Sequence, residues 1–334
     1  MPSAINNTIL TLKESATLGV NQKALRMRKE GVDVCHLGFG ESPFQVPEIM
    51  VEALTQSAGI KNYLPGLGLP ELRKEASDSY AREFEIQSSW ENTVVGPGSK
   101  ELIFNLLMLL VGPFIIPAPS WVSYGPQAHI LAKDTYTIST ERKDSYRLQA
   151  EALAQLCGTL GKGQKILILN NPCNPTGAVY PDQELQALAK VCREEEVIVI
   201  SDEIYSLIDF RKEKFSSIGR YLPESTVVTG GMSKAFSAGG WRLGLAFVPD
   251  AMSDIIKPWN ALISETFSCV NAPVQYAALE AFSQFEALRP QIQRFTEIHS
   301  VAGSYLFKRF MQMDLNCQEP EGEFYLFPDF KNHL

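Results

Sequence analysis

A lysine framed by small residues, Gly230-Gly-Met-Ser-Lys-Ala-Phe-Ser-Ala-Gly-Gly-Trp-Arg-Leu-Gly244, is the segment of this sequence best suited to covalent chemistry. With so little bulk around it, the Lys234 amine is open to a ligand aldehyde. An imine there would be a covalent resting state, and the released amine a base for a substrate's α-proton. A lone lysine is ordinarily a solvated charge, but the glycine-rich frame and Arg242, eight positions on, argue otherwise. A guanidinium at that spacing suits a phosphate held bidentately.

Three further segments carry polar residues in a similar setting. In Asn170-Asn-Pro-Cys-Asn-Pro-Thr-Gly177, two Asn-Pro pairs hold the backbone extended, so the loop presents Asn174 in a fixed direction. In Ser201-Asp-Glu-Ile-Tyr205, Asp202 stands where it could simply cap a turn. Beside a pyridine ring the same carboxylate would keep the ring nitrogen protonated: unit charges ~4 Å apart at an effective dielectric of ~20 interact by about 4 kcal/mol, or roughly three pKa units. Tyr205, one turn on, could then reach the ring's phenolic oxygen. Gly96-Pro-Gly-Ser-Lys100 opens a helix whose first N–H groups, with the positive dipole end, form a phosphate site. The spacing is not that of a Walker loop. Trp121, in Pro119-Ser-Trp-Val-Ser-Tyr124, could lie flat on an aromatic ring.

These residues need a frame that gathers them. Lys165–Asn170 and Glu196–Ser201 are short, apolar and β-branched, as strands covered on both faces are. Between them Asp182–Glu195 places Leu185, Leu188, Ala189, Val191 and Cys192 at helical spacing after Pro181, which makes a βαβ unit. Thr226–Thr229 and Leu243–Val248 are further strands, Ser99–Leu110 is a helix, and Leu102–Ile116 runs from buried helix into strand. The expectation is a doubly wound α/β domain over residues 47–283, with its crevice outside the carboxyl ends of the strands. The arm 1–46 and the segment 284–334 would belong to a smaller second domain.

Composition narrows the function. Hydrophobic residues at 45% and charged residues at 20% fit a globular protein, and a net charge of -8 disfavours nucleic acid or an anionic membrane as a general partner. No apolar stretch reaches bilayer length. The first residues, Met1 to Leu12, lack the apolar core of a signal peptide, and the six cysteines form no CxxC pair, so the expectation is a cytoplasmic protein with reduced thiols. His36, His129, His299 and His333 are dispersed without metal-ligand spacing, and no metal is assigned.

Taken together, the segments resemble those of the class I and II aminotransferases, the fold-type I enzymes of pyridoxal 5'-phosphate (PLP), over nearly the whole chain. The resemblance implies that fold: a large, mostly parallel domain and a smaller α/β domain. It assigns the Schiff-base lysine to Lys234, the ring-nitrogen partner to Asp202, and the phenolic-oxygen contacts to Asn174 and Tyr205. The phosphate would fall to Gly98, Ser99, Lys100 and Arg242 and ring stacking to Trp121, with Ser233 a further cofactor contact. Leu37-Gly-Phe-Gly-Glu-Ser-Pro43 is similar to a segment that places Gly40 against the substrate carboxylate, near Trp121 and Asn174. Asn62-Tyr-Leu-Pro-Gly-Leu-Gly68 is similar to one whose tyrosine reaches the neighbouring subunit's phosphate, so Tyr63 implies a homodimer.

Two departures accompany the resemblance. Gly231 stands where many relatives carry a phosphate-binding serine. No residue matches the arginine that clamps the substrate's α-carboxylate beyond a segment like Gly322–Pro328, which implies a small domain incomplete at its C-terminal end. A carboxylate bound without that arginine forgoes a charge-assisted pair worth ~1.5–3 kcal/mol. The activity implied is amino transfer between an L-amino acid, aspartate-like or aromatic, and a 2-oxo acid such as 2-oxoglutarate. A lyase or decarboxylase using the same cofactor residues, and a truncated, non-catalytic PLP-binding paralogue, stay open as alternatives. A nucleotide-binding oxidoreductase would need a GxGxxG turn after its first strand, and the sequence has none.

Overall fold

Both apolar runs lie at the centre of a seven-stranded sheet in the computed structural model, which describes residues 5–14, 16–38 and 40–331. Phe39 and His333 fall outside the described residues. The strands are β1 (Thr93–Gly96), β2 (Phe114–Ala118), β3 (Thr135–Ser139), β4 (Lys165–Asn170), β5 (Val197–Asp202), β6 (Thr226–Gly231) and β7 (Gly244–Phe247). Their order across the sheet is β1-β7-β6-β5-β4-β2-β3. β7 runs antiparallel to β1 and β6, and the other pairings are parallel.

The strands lack alternation because both faces are covered. Ile166, Ile168, Ile200, Val227 and Ala246 pack into one cluster with Leu102, Ile103 and Leu106 of the helix Ser99–Leu109. Leu167, Leu169 and Val199 point the other way, towards Leu153 and Cys157 of Ala150–Leu160 and Leu185, Leu188 and Cys192 of Asp182–Glu194. The buried stripe of the latter helix has the i, i+3, i+4, i+7 spacing read from its sequence. A third cluster joins Val95, Val228 and Phe247 to Leu72 and Tyr80 of Pro70–Phe84 and to Ala278 and Phe282 of Ala272–Ser283. The expected boundary at 283/284 falls just before a 28-residue helix, Phe285–Gln312, yet Phe285, Leu288 and Ile292 are buried in this same cluster.

Register lines up the functional ends. Asn170 pairs with Asp202, and Asp202 with Thr229, so the carboxyl ends of β4, β5 and β6 stand abreast and the loops that follow share one edge. β7 is reversed and therefore starts at that edge, with Gly244 between Gly96 and Gly231. The reversal brings Arg242, two residues before the strand, beside the start of the helix that follows β1. Among the described residues no helix is long and apolar enough to cross a membrane. All six cysteines are unpaired; four are buried, Cys269 is half-buried and Cys35 exposed.

Candidate active site

Beyond the aligned strand ends lies a cavity of about 570 Å³ lined by Lys234, Asp202, Tyr205, Asn174, Trp121 and Arg242, and also by Gly40, Ser99, Lys100 and Ser233. Of the sequence-assigned residues, Gly98 and Tyr63 do not line it. A larger cleft, about 650 Å³, carries Arg147, Arg211, Lys214 and Arg220. Its arginines are already tied to Glu184, Glu321, Asp209 and Glu85, which leaves it no comparable chemistry.

Asp202, the last residue of β5, is 4% exposed. Its Oδ2 accepts from the Tyr124 hydroxyl at 2.7 Å, while Oδ1 is buried with no hydrogen-bond partner among the described residues. Burial pushes its carboxyl up from 3.8 to about 6, against the downward pull of the Tyr124 hydroxyl, the Ile204 N–H and the Lys234 charge. A buried carboxylate oxygen with no donor is costly, and so is a mark of a site that expects one. Glu203 next to it belongs elsewhere: it accepts from Ser201 and Ser217 at 2.7 and 2.5 Å and does not line the cavity.

Lys234 follows β6, and its Nζ donates to the Gly40 carbonyl at 2.7 Å. The aromatic faces of Tyr205 and Phe324 flank it at 5.3 and 5.5 Å. Burial lowers the amine from 10.5 to about 8, opposed by the charges of Glu323, Asp202 and Glu41 and reinforced by Arg242. An amine near 8 has a sizeable neutral fraction at physiological pH, as a nucleophile needs.

On β4's loop, the Asn174 N–H donates to Asn170 Oδ1 at 2.7 Å, and the two Asn-Pro bonds of the loop are cis. Tyr205 is buried and donates its O–H to the Tyr325 hydroxyl at 3.0 Å. Trp121 meets Tyr124 edge-on, with centroids 5.2 Å apart, and the Lys100 ammonium stands 4.9 Å from the centre of its ring.

The opposite end is cationic. Arg242 donates to the carbonyls of Gly239 at 2.8 Å and Pro97 at 3.2 Å, which aims it at the start of the helix Ser99–Leu109. Lys100 is lowered by burial first and by Arg242 second. Gly98 has φ +92°, a left-handed conformation that glycine adopts freely, and a Cβ there would overlap the Arg242 guanidinium. Gly98→Ala is therefore expected to displace Arg242 and weaken binding of inorganic phosphate by at least about ten-fold, the loss of one charge-assisted hydrogen bond. Calorimetric titration checks this; an unchanged affinity in a folded variant would remove this end from the anion site.

Together these groups could hold a ligand that brings a carbonyl to Lys234, a protonated ring nitrogen to Asp202 and a phosphate to the Ser99–Lys100–Arg242 end. Among the described residues no group of three or more His, Cys, Asp or Glu is placed to hold a metal ion. His36 and His129 bond Asn21 and Thr11 at 2.9 Å each, and His299 packs against Phe44 and Phe324. Tyr124, Tyr325, Asn170, Glu41 and Leu18 share the cavity without having been assigned from sequence. Tyr124, Asn170, Glu41 and Tyr325 lie in segments already marked, with Tyr124 an aromatic three residues after Trp121; Leu18 has no local signal.

Residues 32–333 match the family described as aminotransferase class I and II. The chain is 32% identical over 330 residues to the aspartate/prephenate aminotransferase of Thermus thermophilus, covering 97% of this chain and 84% of that protein. It is 30% identical over 332 residues to the aspartate aminotransferase of Bacillus subtilis, covering 97% and 82%. Among solved structures, the Thermus thermophilus aspartate aminotransferase with maleate superimposes with a TM-score of 0.93 at 32% identity, over 99% of this chain and 86% of that one. The aromatic aminotransferase from Pyrococcus horikoshii gives 0.83 at 28%, over 92% and 84%.

Proposed function

The chain belongs to the class I and II aminotransferases, and from that premise we propose that it uses pyridoxal 5'-phosphate to move an amino group from an aspartate-like or aromatic L-amino acid to a 2-oxo acid such as 2-oxoglutarate. One observation carries the cofactor reading: a buried carboxylate oxygen with no donor among the described residues, Asp202 Oδ1, in the same cavity as an amine lowered to about 8. A protonated pyridine nitrogen is the donor that this oxygen lacks, and the glycine-opened helix start supplies the phosphate cradle.

When bound, the cofactor supplies an electron sink for the substrate's α-carbon. Lys234 would hold it covalently through Nζ and, when released, take and return the α-proton. Asp202 would keep the proton on the ring nitrogen, and Tyr124, bonded to Oδ2, fixes the carboxylate so that Oδ1 stays turned to the ligand. Asn174 and Tyr205 would hold the phenolic oxygen, Trp121 the ring face, and Ser99, Lys100, Ser233 and Arg242 the phosphate. Tyr63 is 89% exposed. That supports a homodimer in which the tyrosine completes the partner subunit's phosphate site. Six unpaired cysteines support a cytoplasmic location.

The reading is tested by incubating the PLP-loaded protein with L-aspartate and 2-oxoglutarate. Glutamate and oxaloacetate in equal amounts are expected, with L-phenylalanine or L-tyrosine as second donors to try. Ammonia or carbon dioxide without glutamate would move the protein to a lyase or decarboxylase reading.

A further inference from the structure

The mechanism above makes no use of Tyr325, yet this side chain touches three of its parts. Tyr205 lies 120 residues earlier and donates to the Tyr325 hydroxyl at 3.0 Å. Asn174 also acts on this hydroxyl, drawing its pKa down. Both side chains assigned to the cofactor's phenolic oxygen thus meet Tyr325, Tyr205 through a hydrogen bond and Asn174 as a polar neighbour. The Tyr325 hydroxyl is also seated against Gly40, where a Cβ would overlap it, and the Gly40 carbonyl is the acceptor for Lys234 Nζ at 2.7 Å.

Counting donors and acceptors gives the hydroxyl a task. A phenol oxygen accepts two hydrogen bonds and has one proton to give. Tyr205 donates to this oxygen, so Tyr325's own proton is left for an acceptor in the cavity that it lines. Burial lifts this hydroxyl to about 12, so it remains a donor throughout the physiological range. The segment is held from outside the pocket: Glu323 N–H donates to the Ile208 carbonyl at 2.7 Å, and Gly322 bridges Asp209.

Resting on the PLP reading, we propose that Tyr325 is a positioning residue of the phenolic-oxygen corner, a third anchor after Asn174 and Tyr205 and the second with a hydroxyl, which links Tyr205 to Gly40 and, through it, to Lys234. A ligand oxygen arriving there is met by a network already bonded together. Removing the hydroxyl would release the Tyr205 hydroxyl and loosen the Gly40 backbone packed against it.

Tyr325→Phe tests this by equilibrium binding of three ligands to the cofactor-free full chain: PLP, its 3-deoxy analogue lacking the phenolic oxygen, and inorganic phosphate. The expected result is a loss of about five-fold for PLP, one hydrogen bond of ordinary strength, with roughly two-fold or less for the analogue and for phosphate. Equal losses for PLP and the analogue, no loss for PLP, or a loss of phosphate binding would each overturn the proposal, because the hydroxyl would then serve packing alone or nothing. If the parent chain takes phosphate but neither pyridine ligand, the cofactor reading itself falls and this one with it. If the parent binds PLP and only the selectivity for the phenolic oxygen is missing, the fault lies with Tyr325.

Discussion

Lys234→Met is expected to remove transamination, by at least about 10⁴-fold, because in the proposed mechanism one substitution takes away both the covalent anchor and the base, and proton transfer alone contributes ~10²–10⁴. The visible imine absorbance of the PLP-loaded protein disappears with it, while inorganic phosphate still binds at the Ser99–Lys100–Arg242 end. The same change stabilises the cofactor-free fold. Lys234 sits at about 8 when folded, below its ordinary 10.5, so between these values the unfolded chain binds more protons and stability rises with pH. Below pH 8 the cost of the buried ammonium is fully present, of the order of 3 kcal/mol at about 1.4 per pH unit. Methionine keeps the aliphatic stem without the charge. Its advantage in thermal melting is therefore largest at pH 7 and fades as pH climbs from 8 towards 10.5. A variant that melts lower at pH 7, or that keeps turning over, would contradict this account of Lys234.

What made the site legible in sequence was its attachment to strands buried on both faces. β4 and β5 are recognisable as unbroken apolar runs, and each hands its next residues to the cavity, so Asn174, Asp202 and Tyr205 could be placed from local pattern alone. Lys234 and Arg242 flank a glycine-rich turn and announce themselves by composition. β1 and β3 carry no such mark: β1 is only four residues long, and β3 is an edge strand whose residues are mostly exposed and carry no apolar run. Nor does any periodicity reveal that β7 is reversed, although the reversal is what returns Arg242 to the start of the helix Ser99–Leu109.

Leu18, Glu41 and Tyr325 reach the cavity from segments far away in the chain. Their contribution depends on how the N-terminal segment and the turn at Gly322 pack across the strand ends. That is a tertiary matter, decided by contacts such as Ser42 with Ser237 at 2.7 Å and Phe210 N–H with the Glu321 carbonyl at 2.8 Å. Neither leaves a mark in a short window of sequence.

Asp202→Asn is expected to lower the transamination rate by roughly 10³-fold, since a carboxylate ~4 Å from a ring cation at an effective dielectric of ~20 supplies about 4 kcal/mol. The amide keeps the shape and can still meet the Tyr124 hydroxyl, so the loss reports charge rather than packing. pH separates the two further. In the cofactor-free protein Asp202 titrates at about 6, and below that value it is protonated and holds no cation. Affinity of the parent for PLP therefore weakens as pH falls through 6, while the variant stays flat across the same range. Stability runs the other way: the folded value lies above the ordinary 3.8, so the folded state binds more protons between 3.8 and 6 and loses stability as pH rises through that window. Above pH 6 the buried carboxylate is a cost that Asp202→Asn relieves, and the variant should melt higher than its parent there. Asp202 and Lys234 thus both make the empty fold less stable so that the loaded one can react, a trade-off expected of groups buried for chemistry. An Asp202→Asn protein within about ten-fold of parental activity, or one whose PLP affinity still falls through pH 6, would show that this carboxylate does not hold the ring proton.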